Sequence, residues 1–203
     1  MNSFSTSRDR TNRRAHLSLV FLATCCAGAS AAIRYVNDDA PCGGPGQPPC
    51  NGTSWDLAYH DLQEALDVAQ SGDQIWVAQG TYKPSVPYCV GGCPLTNRHR
   101  TFKLPNLDQT NINIYGGFQG IMSETALLQR NPEVFHTILS GAINDPLTTA
   151  DDAYHVVTAD RVDATNGLSG FIIRDGRADD INAGTLDVYG GGMLIHGVPS
   201  DFP

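Results

Sequence analysis

No HExxH, GxSxG or Walker A sequence occurs anywhere in the 203 residues. That removes the metalloprotease, nucleophile-elbow and phosphate-loop chemistries that short motifs announce. Helical periodicity is nearly absent after residue 72, so a helical bundle is excluded. No apolar run is of comfortable membrane-spanning length. Positive charge is scarce, with 13 Lys and Arg against 21 Asp and Glu. Such a chain repels nucleic acid and acidic lipid instead of binding them.

What is present begins with a targeting segment at residues 1–31. Arg8, Arg10, Arg13 and Arg14 precede the apolar run Leu17 to Ala27, and Ala29-Ser30-Ala31 offers small residues to a signal peptidase. A lipobox reading at Leu22 to Cys25 is weakened by Thr24, and Arg13-Arg14 lacks the rest of a twin-arginine motif. Cleavage near Ala32 leaves 20 acidic and nine basic residues, a net of −11, on one domain at 32–203. The expected location is outside the cytoplasm: extracellular, cell-surface or periplasmic.

Four cysteines remain after the leader, in two close pairs within Gly/Pro-rich loops. In an exported protein the expected bonds are Cys42–Cys50 and Cys89–Cys93, although four cysteines allow three pairings. Zinc is the rival, but CxxxC and Cx₇C are loose spacings without a histidine motif.

Residues 51–82 organise the rest. Trp55, Ala58, Leu62, Ala65, Leu66 and Ala69 form one stripe at helical spacing, opposite His60, Asp61, Gln63, Glu64 and Asp67. The pattern predicts a helix over about 54–70, with Thr53 as N-cap, Asp56 completing a short-armed capping box, and Gly72 as the left-handed stop. Ile75 to Ala78 then run without alternation, as a strand covered on both faces does.

Further apolar runs, each closed by Gly, Asn or Asp, occur at 33–37, 112–115, 137–141, 155–158, 168–174 and 192–197. Lys83 to Arg100 reads as an irregular loop, and 119–130 as a turn or two of helix. After residue 112 most runs are spaced more widely than the roughly 8 to 12 residues at which sandwich strands return. That spacing suits stacked repeats.

Tyr35-Val36, NGTSWDLAYHDLQEALDVAQSGDQIWVAQGTYKPS, INIYGGFQG, QRNP, TILSG, YHVVTA, LSGFIIRDGRA and GGGM occur in that order between about Ile33 and Met193. This series resembles secreted bacterial right-handed parallel β-helix repeat proteins of the pectin-lyase-like fold, related to the polymorphic outer membrane proteins. The resemblance implies a mainly β solenoid whose N-terminal end is capped by the helix at 54–70. It also implies a longer protein, interrupted at Val198 to Pro203, with its anchoring module outside this chain. Glycans or surface proteins are the partners such a chain would meet.

Carboxylates are the remaining source of chemistry. Solenoids of this kind also host polysaccharide lyases and hydrolases, which need grouped carboxylates, often with calcium or a nearby base. The candidates are Asp38-Asp39, Asp151-Asp152 and Asp179-Asp180, with Arg174 and Arg177 near the last pair. Neighbouring residues on a strand face opposite ways, so an Asp-Asp dipeptide is not itself a catalytic pair. The histidines (16, 60, 99, 136, 155, 196) form no ligand motif, and Asn51-Gly52-Thr53 is a glycosylation sequon whose threonine is wanted as a cap. No catalytic, cofactor-binding or metal residue is therefore assigned, with calcium as the one cofactor to weigh. A non-catalytic surface or adhesin-like protein is expected, and a fragment of a lyase or glycoside hydrolase is the alternative.

Overall fold

The structure is a computed structural model that describes residues 31–90, 92, 95–144, 148–181 and 186–197. The leader up to residue 30, Cys93 and residues 198–203 lie outside the described residues. The chain is mainly β, and its strands are short. They are β1 (Ile33–Val36), β2 (Gln74–Ala78), β3 (Gly80–Tyr82), β4 (Val86–Pro87), β5 (Arg100–Lys103) and β6 (Asn113–Phe118). After them come β7 (Thr137–Ser140), β8 (Val157–Asp160), β9 (Gly167–Ser169), β10 (Phe171–Arg174) and β11 (Met193–His196). The single α-helix, α1, spans Leu62–Val68.

Three sheets result, in the orders β1-β2-β6-β9, β3-β7-β10 and β4-β5-β8-β11. Every pairing is parallel except β4 with β5. From β2 onward, with β4 set aside, consecutive strands join the three sheets in rotation. Strands adjacent in a sheet are therefore separated by two others in sequence. Parallel neighbours need such long connections, because a tight turn can only reverse the chain.

Register lines up like with like. Ile75, Ile114 and Leu168 form one apolar row, which β1 breaks with Arg34, and Tyr82, Leu139 and Ile173 form another. The interior is filled by Val36, Ile75, Val77, Phe102, Ile114, Leu139, Val156 and Val157. β2 is buried on both sides, as its unbroken apolar run predicts. Ile75 and Val77 enter this core, while Trp76 and Ala78 pack outside it with Trp55 and Phe118. The Trp76 and Phe118 rings stack at 4.7 Å, and Trp55 Nε1 donates to the Glu124 carbonyl at 3.0 Å.

The helix expected over 54–70 is corrected by the structure. A 3₁₀ turn covers Trp55–Leu57, Ala58 to His60 run alongside β1, and only Leu62–Val68 are α-helical. β1 wins the intervening backbone: Tyr59 N–H donates to the Tyr35 carbonyl at 2.9 Å, and Asn37 N–H to that of Tyr59 at 2.8 Å. Asp61, and not Thr53, is the N-cap, accepting from Gln63 N–H at 2.8 Å. Thr53 instead bonds Asn51 Oδ1 through its hydroxyl at 2.6 Å. The stripe still reaches the interior, since all six of its apolar residues are buried. α1 lies over the β1 and β2 end of the core, with Leu62, Ala65, Leu66 and Ala69 packed into it.

The segment 83–100, read as an irregular loop, contains β4, and β5 begins at its last residue, Arg100. The helical turn expected within 119–130 is a 3₁₀ turn at Leu127–Gln129. Gly116 and Gly117 sit inside β6, at a register shift opposite Trp76 to Ala78. Gly117 has φ +94°, and a Cβ there would lie 2.6 Å from the Pro132 ring, so both conformation and space require glycine.

Candidate functional site

A cavity of about 370 Å³ opens on the outer side of the β3-β7-β10 sheet. Thr81 of β3, Ser140 at the end of β7 and Arg174 at the end of β10 bring their side chains to it because those strands stack in register. Lys83 enters just after β3, Asp175 just after β10, and Thr148, Thr149 and Asp152 come from the connection between β7 and β8. No aromatic side chain lines it.

Asp175 is fixed. Its Oδ2 accepts from Ser140 Oγ at 2.6 Å and forms an ion pair with Arg174 Nε at 3.2 Å. Its φ of +60° is one that Asp tolerates better than most residues. Asp152 is different. It is only 5% exposed, yet its carboxylate accepts no hydrogen bond among the described residues. Its backbone is held instead, by Arg98 Nε on its carbonyl at 2.8 Å. Burial, then the nearby charges of Asp175 and Asp151, push the Asp152 carboxyl above its usual range, and Arg177 and Arg98 only partly oppose them. Lys83 makes no ion pair among the described residues.

The other carboxylates singled out in the sequence do not join this group. Asp38 lines a separate recess with His60 and Tyr82, where burial and then Asp39 raise its carboxyl. Asp179 is structural. It accepts from Arg98 Nη2 at 2.6 Å and pairs with Arg177 Nε at 2.7 Å, and Arg98 in turn lies 4.0 Å over the Tyr154 ring. Arg177 therefore serves an ion pair, whereas Arg174 does reach the cavity. Asp180 donates its N–H to the Asp187 carbonyl.

A buried cluster that the sequence reading missed lies nearby. Asp187 sits between two histidines, with Oδ2 3.2 Å from His99 Nε2 and Oδ1 3.3 Å from His155 Nε2. The second contact is an ion-pair distance without hydrogen-bond geometry. Thr96 N–H donates to His99 Nδ1 at 2.9 Å, and His155 Nδ1 faces the Gly190 carbonyl at 3.2 Å. Thr, His and Asp in contact have the composition of a nucleophilic triad. However, the Nδ1 lone pair is already taken by a backbone N–H, and His99, His155 and Asp187 are all buried. The cluster ties the 186–190 segment to the 96–99 turn and the entry to β8.

Two groups have the residue types of a metal site: Cys42, Cys50 and His60, and Cys89, His99 and Asp187. Cys42 and Cys50 are joined in a disulfide, and Cys89 is also disulfide-bonded. Sulfur bonded to sulfur carries no thiolate, so neither group offers a zinc ligand set. His60 Nε2 is 2.9 Å from the Ala40 carbonyl. For calcium, the cavity brings two carboxylates, but Lys83 and Arg174 beside them disfavour a divalent cation.

Two of the nine residues that line the cavity, Asp152 and Arg174, were legible in the sequence as candidates. Ser140 and Asp175 escaped notice, though aligning TILSG with FIIRDG sets Ser140 opposite Arg174, with Asp175 the next residue on. No family model, no curated protein and no solved structure matches this chain. No helix among the described residues is long and apolar enough to cross a membrane.

Proposed function

We propose that this chain forms the N-terminal coils of a right-handed parallel β-helix, and that it is an exported, non-catalytic surface or adhesin-like protein. The observation that carries the reading is the rotation of successive strands through three parallel sheets, with like side chains stacked in rows. α1 serves as the cap of the first coil, covering apolar surface that an open end would expose. In such a fold each coil contacts only its neighbours, and loops between strands can vary without disturbing the rows. A chain of this kind presents an extended lateral surface, here acidic, to glycans or proteins of its surroundings. A non-catalytic role is supported by the locked state of Asp179 and Asp175 and by the sealed His99–Asp187–His155 cluster.

Assaying the purified exported chain on pectin, polygalacturonate and alginate, with and without calcium, tests the assignment. No release of reducing or unsaturated sugars is expected. Turnover that vanishes in Asp152→Asn or Asp175→Asn would replace this reading with that of a lyase or hydrolase.

A further inference from the structure

We infer that the cavity on the β3-β7-β10 sheet is a binding site for a neutral, hydroxyl-rich ligand, a sugar unit of an uncharged glycan, with Asp152 as its central acceptor and Lys83 as a donor. This deepens the surface-protein reading and rests on it.

A buried carboxylate without a hydrogen bond is costly, and native proteins keep few of them without a reason. The Asp152 side chain is mostly buried and meets no donor among the described residues, and its oxygens stay accessible only because it lines this cavity. Most other lining residues carry a polar group: four hydroxyls from Thr81, Ser140, Thr148 and Thr149, the Lys83 ammonium and the Arg174 guanidinium. Ala142 is the one apolar residue, which excludes ligands that rely on apolar burial. A ligand must therefore donate to Asp152 and accept from Lys83, and hydroxyl groups do both.

Charge selects among hydroxylated ligands. Asp151, Asp152 and Asp175 place three carboxylates at or beside the cavity. Arg174 is engaged with Asp175, and Arg177 with Asp179. The charges there cancel, Asp151, Asp152, Asp175 and Asp179 standing against Lys83, Arg98, Arg174 and Arg177, so no net positive field draws an acidic ligand. An acidic sugar would meet like charge at the point where its hydroxyls must bind. A divalent cation would find two carboxylates but also two cationic side chains.

Amide spectra of the ¹⁵N-labelled exported chain, titrated with cellotetraose, mannotetraose, xylotetraose and tetragalacturonate, test this. At least one neutral tetrasaccharide is expected to shift Thr81, Thr149, Asp152 and Asp175 saturably, and tetragalacturonate is expected to leave them unmoved. Asp152→Asn should weaken that binding at least about tenfold, the scale of a hydrogen bond to a charged group. Should Asp152→Asn perturb the whole spectrum, Lys83→Met on the rim is read in its place, with about threefold weakening expected. The inference fails if no neutral sugar shifts these amides at about 10 mM. It also fails if tetragalacturonate shifts them, or if the substituted chain binds as well as the parent. Failure here with no polysaccharide turnover leaves the surface-protein reading standing without this site, whereas turnover would remove both.

Discussion

The β1–α1–β2 end of the molecule and the β7–β8–β10 flank are built on the same register but to different standards of burial. In β2 four consecutive residues are buried, because Trp55, Trp76 and Phe118 add an outer layer to the inner core. In β10 burial alternates, with Phe171 and Ile173 turned inward and Ile172 and Arg174 exposed. The first end spends both strand faces on packing. The second keeps one face for side chains that are charged or hydroxylated, and it is there that Asp152, Asp175 and Arg174 meet. One set of strand rows thus yields a region that holds the fold and a region free to meet a ligand. Low-burial surface on a rigid scaffold is where binding residues are tolerated.

If that division is real, the largest effect should follow from charging the packed end. Leu66 is 3% exposed and lies in the interior cluster with Val36, Ile75 and Val77. Leu66→Asp should cost at least about 3 kcal/mol, by burying an unpaired carboxylate. Thermal melting should fall by about 6 to 12 °C, given about 2 to 4 °C per kcal/mol for a chain this size. A melt within about 1 °C of the parent would show that α1 does not hold this end closed.

The next effect should come from Thr137, where the two kinds of region join. Its buried hydroxyl accepts from Gly117 N–H at 2.9 Å and donates to the Ala78 carbonyl at 3.1 Å, linking β7 to β6 and β2. Thr137→Val keeps the shape and removes both bonds, leaving a buried N–H without its partner. A loss of about 1 to 3 kcal/mol in denaturant unfolding is expected. A loss below about 0.5 kcal/mol would mean that the stacked side chains, and not this cross-link, set the stability of the junction.

The packed end was the more legible of the two in the sequence, though not in every detail. β2 declared itself because a strand covered on both faces has no alternation to misread. The helix was overextended because 3₁₀ and bridging residues can place Trp55 and Ala58 on the same buried side that a helix would. Spacing records which side chains are buried, and not which backbone hydrogen bonds deliver them. β5 went unseen because Arg100 and Lys103 flank its two buried residues, Thr101 and Phe102, in a segment rich in Pro and Gly. The cavity was harder still. Lys83, Ser140, Asp152 and Asp175 are far apart in sequence and meet only through stacking of successive rows. Local pattern carries no trace of such contacts.

On the exposed flank, ion pairs should matter little at neutral pH and show themselves in acid. Arg98 holds Asp179 below the usual carboxylate range through its hydrogen bond, with Arg177 adding to the effect. A lowered carboxyl contributes stability above its unfolded value, and that contribution is lost as pH falls through the folded value. Asp179→Asn should therefore cost no more than about 1 kcal/mol at pH 7, since the pair is solvent-exposed. The difference between parent and variant should close as the pH drops below about 4. A gap that persists in acid would mean that Asp179 acts through its shape and not its charge.

The smallest effect has the opposite sign, and it separates a ligand-binding carboxylate from a structural one. Burial, Asp175 and Asp151 raise Asp152, so its ionised form is disfavoured in the folded chain. A raised carboxyl contributes stability that is complete below its unfolded value and is lost as pH rises through the folded value. Asp152→Asn removes that loss. The variant should melt slightly higher than the parent at pH 7 and converge with it in acid, and melting curves at several pH values between about 3 and 7 would resolve the trend. Gain of stability with loss of sugar binding is the pattern of a residue kept for function at the expense of the fold. A variant that melts lower than the parent at pH 7 would show that the Asp152 carboxylate supports the fold, and the contrast between the packed end and this flank would lose its sharpest point.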